Sequence, residues 1–193
     1  ISHCPEGDDE VDCSNNTCPE DCICFTEAAI CESTRFFLQA RPPSTKFLSM
    51  SRKSLSLTPN SQLFHSFQSL VILDISFNNI TTICGATNGQ KVFTFLTSLR
   101  IININDNKIT KLLSNCFKHA SFLVRILLSN NRISSISPLS FGGINKLQEL
   151  DLSCNLIISL KNRAFEGPET IELLKLDGNK IISIETRAFH LVK

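Results

Sequence analysis

Tryptophan and tyrosine are absent from the 193-residue sequence, and methionine occurs once. The aromatic anchors that dominate most protein interfaces are thus reduced to phenylalanine, so apolar contact with a partner must come from Phe, Ile and Leu. An excess of charge is missing as well. Lys plus Arg number 19 against 18 Asp plus Glu, a formal net charge of +1. The whole-chain field that holds polyanions is therefore lacking, and no nucleic-acid partner is expected. No uncharged apolar run nears the roughly 20 residues that a membrane-spanning helix needs, so a membrane is expected only through a segment beyond this chain. Catalytic signatures are missing too: there is no G-x-S-x-G, no H-E-x-x-H and no phosphate loop, and His3, His65, His119 and His190 are scattered. No enzyme is expected.

Cysteine is present in excess. Six of the nine fall within the first 31 residues, a density used for cross-linking in secreted domains and avoided in the cytosol. The chain opens on Ile1 with no signal peptide and stops at Lys193 just after a repeating pattern. It is expected to be a piece of a longer extracellular protein, either on the outer side of the plasma membrane or secreted.

The repeat is carried by asparagine. Asn107, Asn131, Asn155 and Asn179 follow one another at intervals of 24, and Asn78 lies 29 before Asn107. With Asn at position 9, positions 1, 4, 6, 11 and 14 around Asn131 are Leu123, Ile126, Leu128, Ile133 and Ile136, and every equivalent in all five repeats is Leu or Ile. Phe117, Phe141, Phe165 and Phe189 each follow an Asn by ten residues. Phe93 takes the same slot once five extra residues between Cys84 and Val92 are removed. Positions 4 and 6 alternate as in a short strand, so they point into a stack while 3, 5 and 7 point out of it. The Asn can satisfy backbone groups left unpaired where the chain turns. Such a unit buries too little to fold alone and is stabilised by its neighbours. Upstream, Leu48, Met50, Leu55, Phe64 and Phe67 form a degenerate first repeat without the Asn.

This pattern resembles the leucine-rich repeat. The resemblance implies an α/β-type solenoid, a horseshoe with a concave parallel β-sheet and an irregular or short helical convex side. Cys18, Cys22, Cys24 and Cys31, spaced C-x3-C-x-C-x6-C, are similar to the N-terminal cap of extracellular leucine-rich-repeat proteins. That likeness implies disulfides Cys18–Cys24 and Cys22–Cys31, with zinc as the disfavoured rival. The segment from Cys4 to Cys13 resembles the end of an LDL-receptor class A module, in which Asp9 and Glu10 would share a calcium ion with two upstream carboxylates. Calcium takes six to eight oxygens, so it is expected in the intact module and not in this chain. The expected order is 1–13 class A remnant, 14–17 linker, 18–44 cap, 45–69 degenerate repeat and 70–193 five repeats. This order resembles the ectodomains of relaxin-family peptide receptors and related receptors coupled to G proteins. The short linker Ser14 to Thr17 departs from them, so no linker-based activation is carried over. A secreted matrix or adhesion protein and a Toll-type receptor are the alternatives.

Further candidates come from the repeat positions. Cys84 and Cys116 fall on the convex side of adjacent rungs and can pair. Cys154, at position 8, is expected to be a free and partly buried thiol. Cys116 and His119 form a C-x-x-H pair that lacks two further metal ligands. Asn15 and Asn79 head glycosylation sequons. The expected ligand-binding face comprises Ile72, Asp74, Phe77, Ile101, Asn103, Arg125, Leu127, Glu149, Asp151 and Lys175. Counting positions 2, 3, 5, 7 and 8, acids outnumber bases six to three, which favours a peptide or protein ligand of basic or mixed charge.

Overall fold

The computed structural model describes residues 22–25, 27–31, 44–56, 64, 67–84, 93–169 and 171–189. In chain order the strands are β1 (Cys22–Cys24), β2 (Ala28–Cys31), β3 (Phe47–Ser49), β4 (Ile72–Asp74), β5 (Ile101–Asn103), β6 (Lys111–Leu112), β7 (Arg125–Leu127), β8 (Ser135–Ile136), β9 (Glu149–Asp151), β10 (Ser159–Leu160), β11 (Leu173–Lys175) and β12 (Ser183–Ile184). One eight-stranded sheet runs β1-β2-β3-β4-β5-β7-β9-β11. Its first pair is an antiparallel hairpin, and every later pair is parallel. On the opposite, convex side β6 pairs with β8 and β10 with β12. The rest of that side is turns, with no α-helix among the described residues.

Register follows the sequence period. Leu73, Ile102, Ile126, Leu150 and Leu174, all at position 4, are successive partners across the sheet. In the first four repeats positions 1, 4, 6 and 11 are fully buried, and position 14 is buried to within a few per cent. Upstream, Thr45 occupies the position 1 slot and is buried, with Leu48, Met50 and Leu55 filling 4, 6 and 11.

The asparagines form a second ladder behind the sheet. Asn131 Nδ2 donates to the carbonyls of Leu128, Ser129 and Ile104, while its Oδ1 accepts from Ile109 N–H at 3.0 Å. Asn107, Asn155 and Asn179 repeat this set, each tying its own rung to the preceding one. Asn78 reaches back to Lys53 N–H, Leu55 N–H and the Met50 carbonyl, so the rung that lacks an Asn is held by its neighbour's. On the convex side Phe93, Phe117, Phe141, Phe165 and Phe189 stack with centroids 5.4–6.3 Å apart and planes within 15°.

Two disulfides have both ends described. Cys22–Cys31 staples the β1–β2 hairpin, and Cys84–Cys116 joins adjacent rungs on the convex side. Both match the sequence expectation. Cys24 is also disulfide-bonded, while its expected mate Cys18 lies outside the described residues.

In two of the five repeats position 7 departs from the expectation that it points outward. Ser76 and Ser153 are buried, and their hydroxyls donate to Oδ1 of Asp74 and Asp151 at 2.7 and 2.6 Å. The backbone turns immediately after this position. Phe77, Asp106, Asn130, Cys154 and Gly178, all at position 8, have φ between 51° and 67°. This turn is common to all five rungs, while position 7 ranges from buried Ser76 and Ser153, whose short hydroxyls bond the Asp of their own rung, to exposed Asp177.

Candidate ligand-binding face

Strand alternation assembles two outward rows on the concave face. Position 3 supplies Ile72, Ile101, Arg125, Glu149 and Leu173, and position 5 supplies Asp74, Asn103, Leu127, Asp151 and Lys175. All ten expected residues except Phe77 stand in these rows. Phe77 projects from the left-handed turn at the rim, with the Arg52 guanidinium 4.6 Å from its ring centroid.

The face divides into an apolar end and a charged end. Ile72, Ile101 and Leu127 are half-buried, and the cap extends their surface. Ile30 pairs with Ser49, itself opposite Asp74, so it prolongs the position 5 row, and Ile23 faces Ile30 across the hairpin. Ile23, Phe25 and Ile30 are exposed. These cap residues were not among the expected site. The signal was available in the sequence, since Ile30 sits between Ala29 and Cys31, both buried, and alternation turns it outward.

At the other end four of the expected residues join in one network. Arg125 Nε donates to Glu149 Oε2 at 2.6 Å, and Lys175 Nζ donates to Glu149 Oε1 at 3.1 Å and lies 3.5 Å from Asp151 Oδ2. The expectation of an exposed acidic strip is corrected here, because Glu149 is buried between two cations. Spacing could have shown it: Arg125 and Glu149 share position 3 on adjacent rungs, and Lys175 is one rung further on. Asp74 is different. Its Oδ1 accepts from Ser76 N–H and Oγ–H, and no cation among the described residues pairs with it.

The Lys175 hydrogen bond, reinforced by that from Arg125, holds the Glu149 carboxyl below its ordinary value of 4.5 against the opposing effect of burial. Lys175 is raised by the same contact. A depressed folded pKa means that Glu149 contributes stability above its unfolded value, and that this is lost as pH falls through the lower folded value. The Glu149→Gln variant should therefore lose less stability than the parent between about pH 6 and about pH 3. Urea midpoints across that range check this, and parallel curves would contradict it.

Family comparison agrees with this geometry. Leucine-rich-repeat models match residues 98–120 and 121–181. The fold is a leucine-rich-repeat solenoid. No curated protein sequence matches the chain. Among solved structures, the TLR13–ssRNA13 complex superposes with a TM-score of 0.68 at 25% identity, over 84% of this chain and 22% of that one. The mouse RP105/MD-1 complex gives 0.67 at 21% identity, over 84% and 31%. The Drosophila Toll–Spatzle complex gives 0.61 at 24% identity, over 72% and 19%. The chain thus spans about a fifth to a third of the length of these neighbours.

On this leucine-rich-repeat scaffold the remaining candidates are placed as follows. Cys154 is a free thiol and is exposed, not partly buried. Its left-handed backbone swings the side chain away from the stack. Asn79 is half-buried beside the ladder residue Asn78, its N–H donating to the Leu55 carbonyl. Among the described residues no group of three or more His, Cys, Asp or Glu could hold a metal, and Cys116 is committed to its disulfide. Asp9, Glu10 and Asn15 lie outside the described residues.

Proposed function

We propose that the chain is part of an extracellular receptor ectodomain, with no catalysis of its own, that binds a peptide or protein ligand on the concave sheet. The observation carrying this reading is the composition of that face. Phe47, Ile72 and Ile101 stand half-buried as successive neighbours in the position 3 row, and Leu127 stands half-buried in the adjacent row, although no core demands them there. The disulfide-stapled cap and the receptor complexes among the structural neighbours support an extracellular setting.

Within that class we favour a receptor of the relaxin-receptor-like, G-protein-coupled type, because the Cys4 to Cys13 segment with its Asp9–Glu10 pair resembles a class A module ahead of the cap. In the intact module those two carboxylates would contribute to a calcium site. A Toll-type receptor is the second reading, favoured by the TLR13 and Toll complexes among the solved structures. The downstream sequence of the full-length message separates them: seven apolar stretches support the first reading, and one supports the second.

A glycan wedge tests the binding face. Leu127→Asn creates the sequon Asn-Leu-Ser with Leu128 and Ser129, while Arg132→Asn creates Asn-Ile-Ser at the exposed side of the same rung. Displayed on cells and screened against secreted proteins and peptides, the parent chain and the Arg132 variant should capture the same ligand. The Leu127 variant should lose it by about a hundredfold or more, as expected when a bulky group occupies an interface centre. Retention by the Leu127 variant together with loss by the Arg132 variant would move the site off the sheet.

A further inference from the structure

The charged end of the concave face offers hydrogen-bond donors and few free acceptors. Both oxygens of Glu149 are taken, Oε2 by Arg125 and Oε1 by Lys175. Asp151 Oδ1 accepts from Ser153 N–H and Oγ–H, and Oδ2 faces Lys175. Arg125 uses only its Nε–H, so the four N–H bonds of Nη1 and Nη2 have no hydrogen-bond partner among the described residues. Exposure follows the same division. The side chains of Arg125 and Lys175 are 50% and 39% exposed, against 12% and 13% for Glu149 and Asp151. Although the four charges sum to zero, a partner approaching from solvent meets two cations, with the carboxylates beneath them.

The borders of this spot are apolar. Register places Ile101 beside Arg125 and Leu173 beside Glu149 in one row, and Leu127 beside Asp151 in the other. Leu173 is 45% exposed.

We propose that Arg125 and Lys175 form a carboxylate-binding subsite, which receives one Asp or Glu side chain of the protein ligand while a neighbouring apolar side chain of that ligand packs on Leu127 and Leu173. A planar guanidinium with both terminal nitrogens free matches a carboxylate in a bidentate fork, and Lys175 adds a point charge from the side. A polyanion fits less well. Asp74, Asp106 and Asp177 stand at positions 5, 8 and 7 of the same face and would repel successive phosphates, whereas a single carboxylate meets only the cations. The ligand is thus mixed in charge, with an acidic group over β7, β9 and β11 and room for a basic group near Asp74. This subsite rests on the concave-face reading above.

The test uses the isotope-labelled full chain and three probes: acetyl-Glu-Leu-Glu-Phe amide, its Lys-for-Glu counterpart, and a short oligouridylate. The acidic peptide should shift the backbone amides of β7, β9 and β11, and its Kd should rise at high salt. Arg125→Gln and Lys175→Gln should each weaken it by about fivefold or more, and Arg125→Lys should weaken it less than Arg125→Gln because charge survives without the fork. The unperturbed amide spectrum of the distant rungs verifies folding of each variant. If the basic peptide shifts these amides instead, the subsite is wrong while the concave face still binds. If the acidic peptide shifts only β6, β8 or other convex amides, the concave reading falls with it. Binding of the oligouridylate at β7 and β9, or no shift with any probe, overturns the subsite.

Discussion

Replacing Phe141 with alanine is expected to lower stability by about 3–5 kcal/mol, the usual cost of removing a fully buried aromatic ring. Its ring lies between those of Phe117 and Phe165, 5.8 and 6.3 Å away, and has no solvent exposure. The cavity would open in the middle of the stack, where each rung is supported only by its two neighbours. Nothing on the convex side can collapse into it without dragging a turn along. The same change at Phe189 is the comparison, since that ring is 38% exposed and its loss should cost only about 1–2 kcal/mol. Urea unfolding followed through the β7 and β9 amides measures both. Equal effects at the two positions would show that the stacked rings do not hold the rungs together.

The Asn131→Ala variant should be destabilised by about 3 kcal/mol, because a buried hydrogen-bonding group left without a partner costs about 1–3 kcal/mol and several are uncovered at once. The amide side chain serves the Ile109 N–H and the carbonyls of Ile104, Leu128 and Ser129, and it is buried. Asn131→Asp is the more informative change. It keeps an acceptor for Ile109 but turns a second oxygen toward three carbonyls, so it should be at least as damaging near neutral pH and should recover partly when acid protonates it. Hydrogen exchange should speed up at Ile109 and in β7 before it does at β4. Uniform acceleration along the chain would mean that the asparagine acts on the whole fold and not on its own junction.

Much of this was legible in the sequence because the solenoid's contacts have a fixed sequence separation. Residues 24 apart become lateral neighbours, so the inward residues Ile126 and Leu150 and the rings Phe117 and Phe141 could be matched before any coordinates. The Cys84–Cys116 pair, 32 apart against a first repeat of 29, joins positions 15 and 18 of adjacent rungs, so the period brought the two rungs together without fixing the bond. Side-chain character at the turns was harder to read. Position 8 carries Phe, Asp, Asn, Cys and Gly, a mixture that conceals a common left-handed backbone, because Phe77 and Cys154 adopt it without being residues that favour it. Exposure of Cys154 follows from that conformation, while burial of Ser76 goes with its hydroxyl bond to Asp74.

By itself the sequence determined the period, the inward positions and the ring stack, because apolar burial follows residue type and spacing, while the Cys22–Cys31 staple was implied by the resemblance to leucine-rich-repeat caps. Only the tertiary structure decided which charges of the concave face remain available. Formal counting makes that face acidic, six to three, yet Glu149 and Asp151 are covered by Arg125 and Lys175. Asp74, with no basic residue at position 3 or 5 of its own or the next rung, keeps a carboxylate that no cation among the described residues pairs with. Charge interactions fall off with distance and depend on solvent access. Their outcome is set by which side chains the sheet places on adjacent rungs and which of them reach solvent.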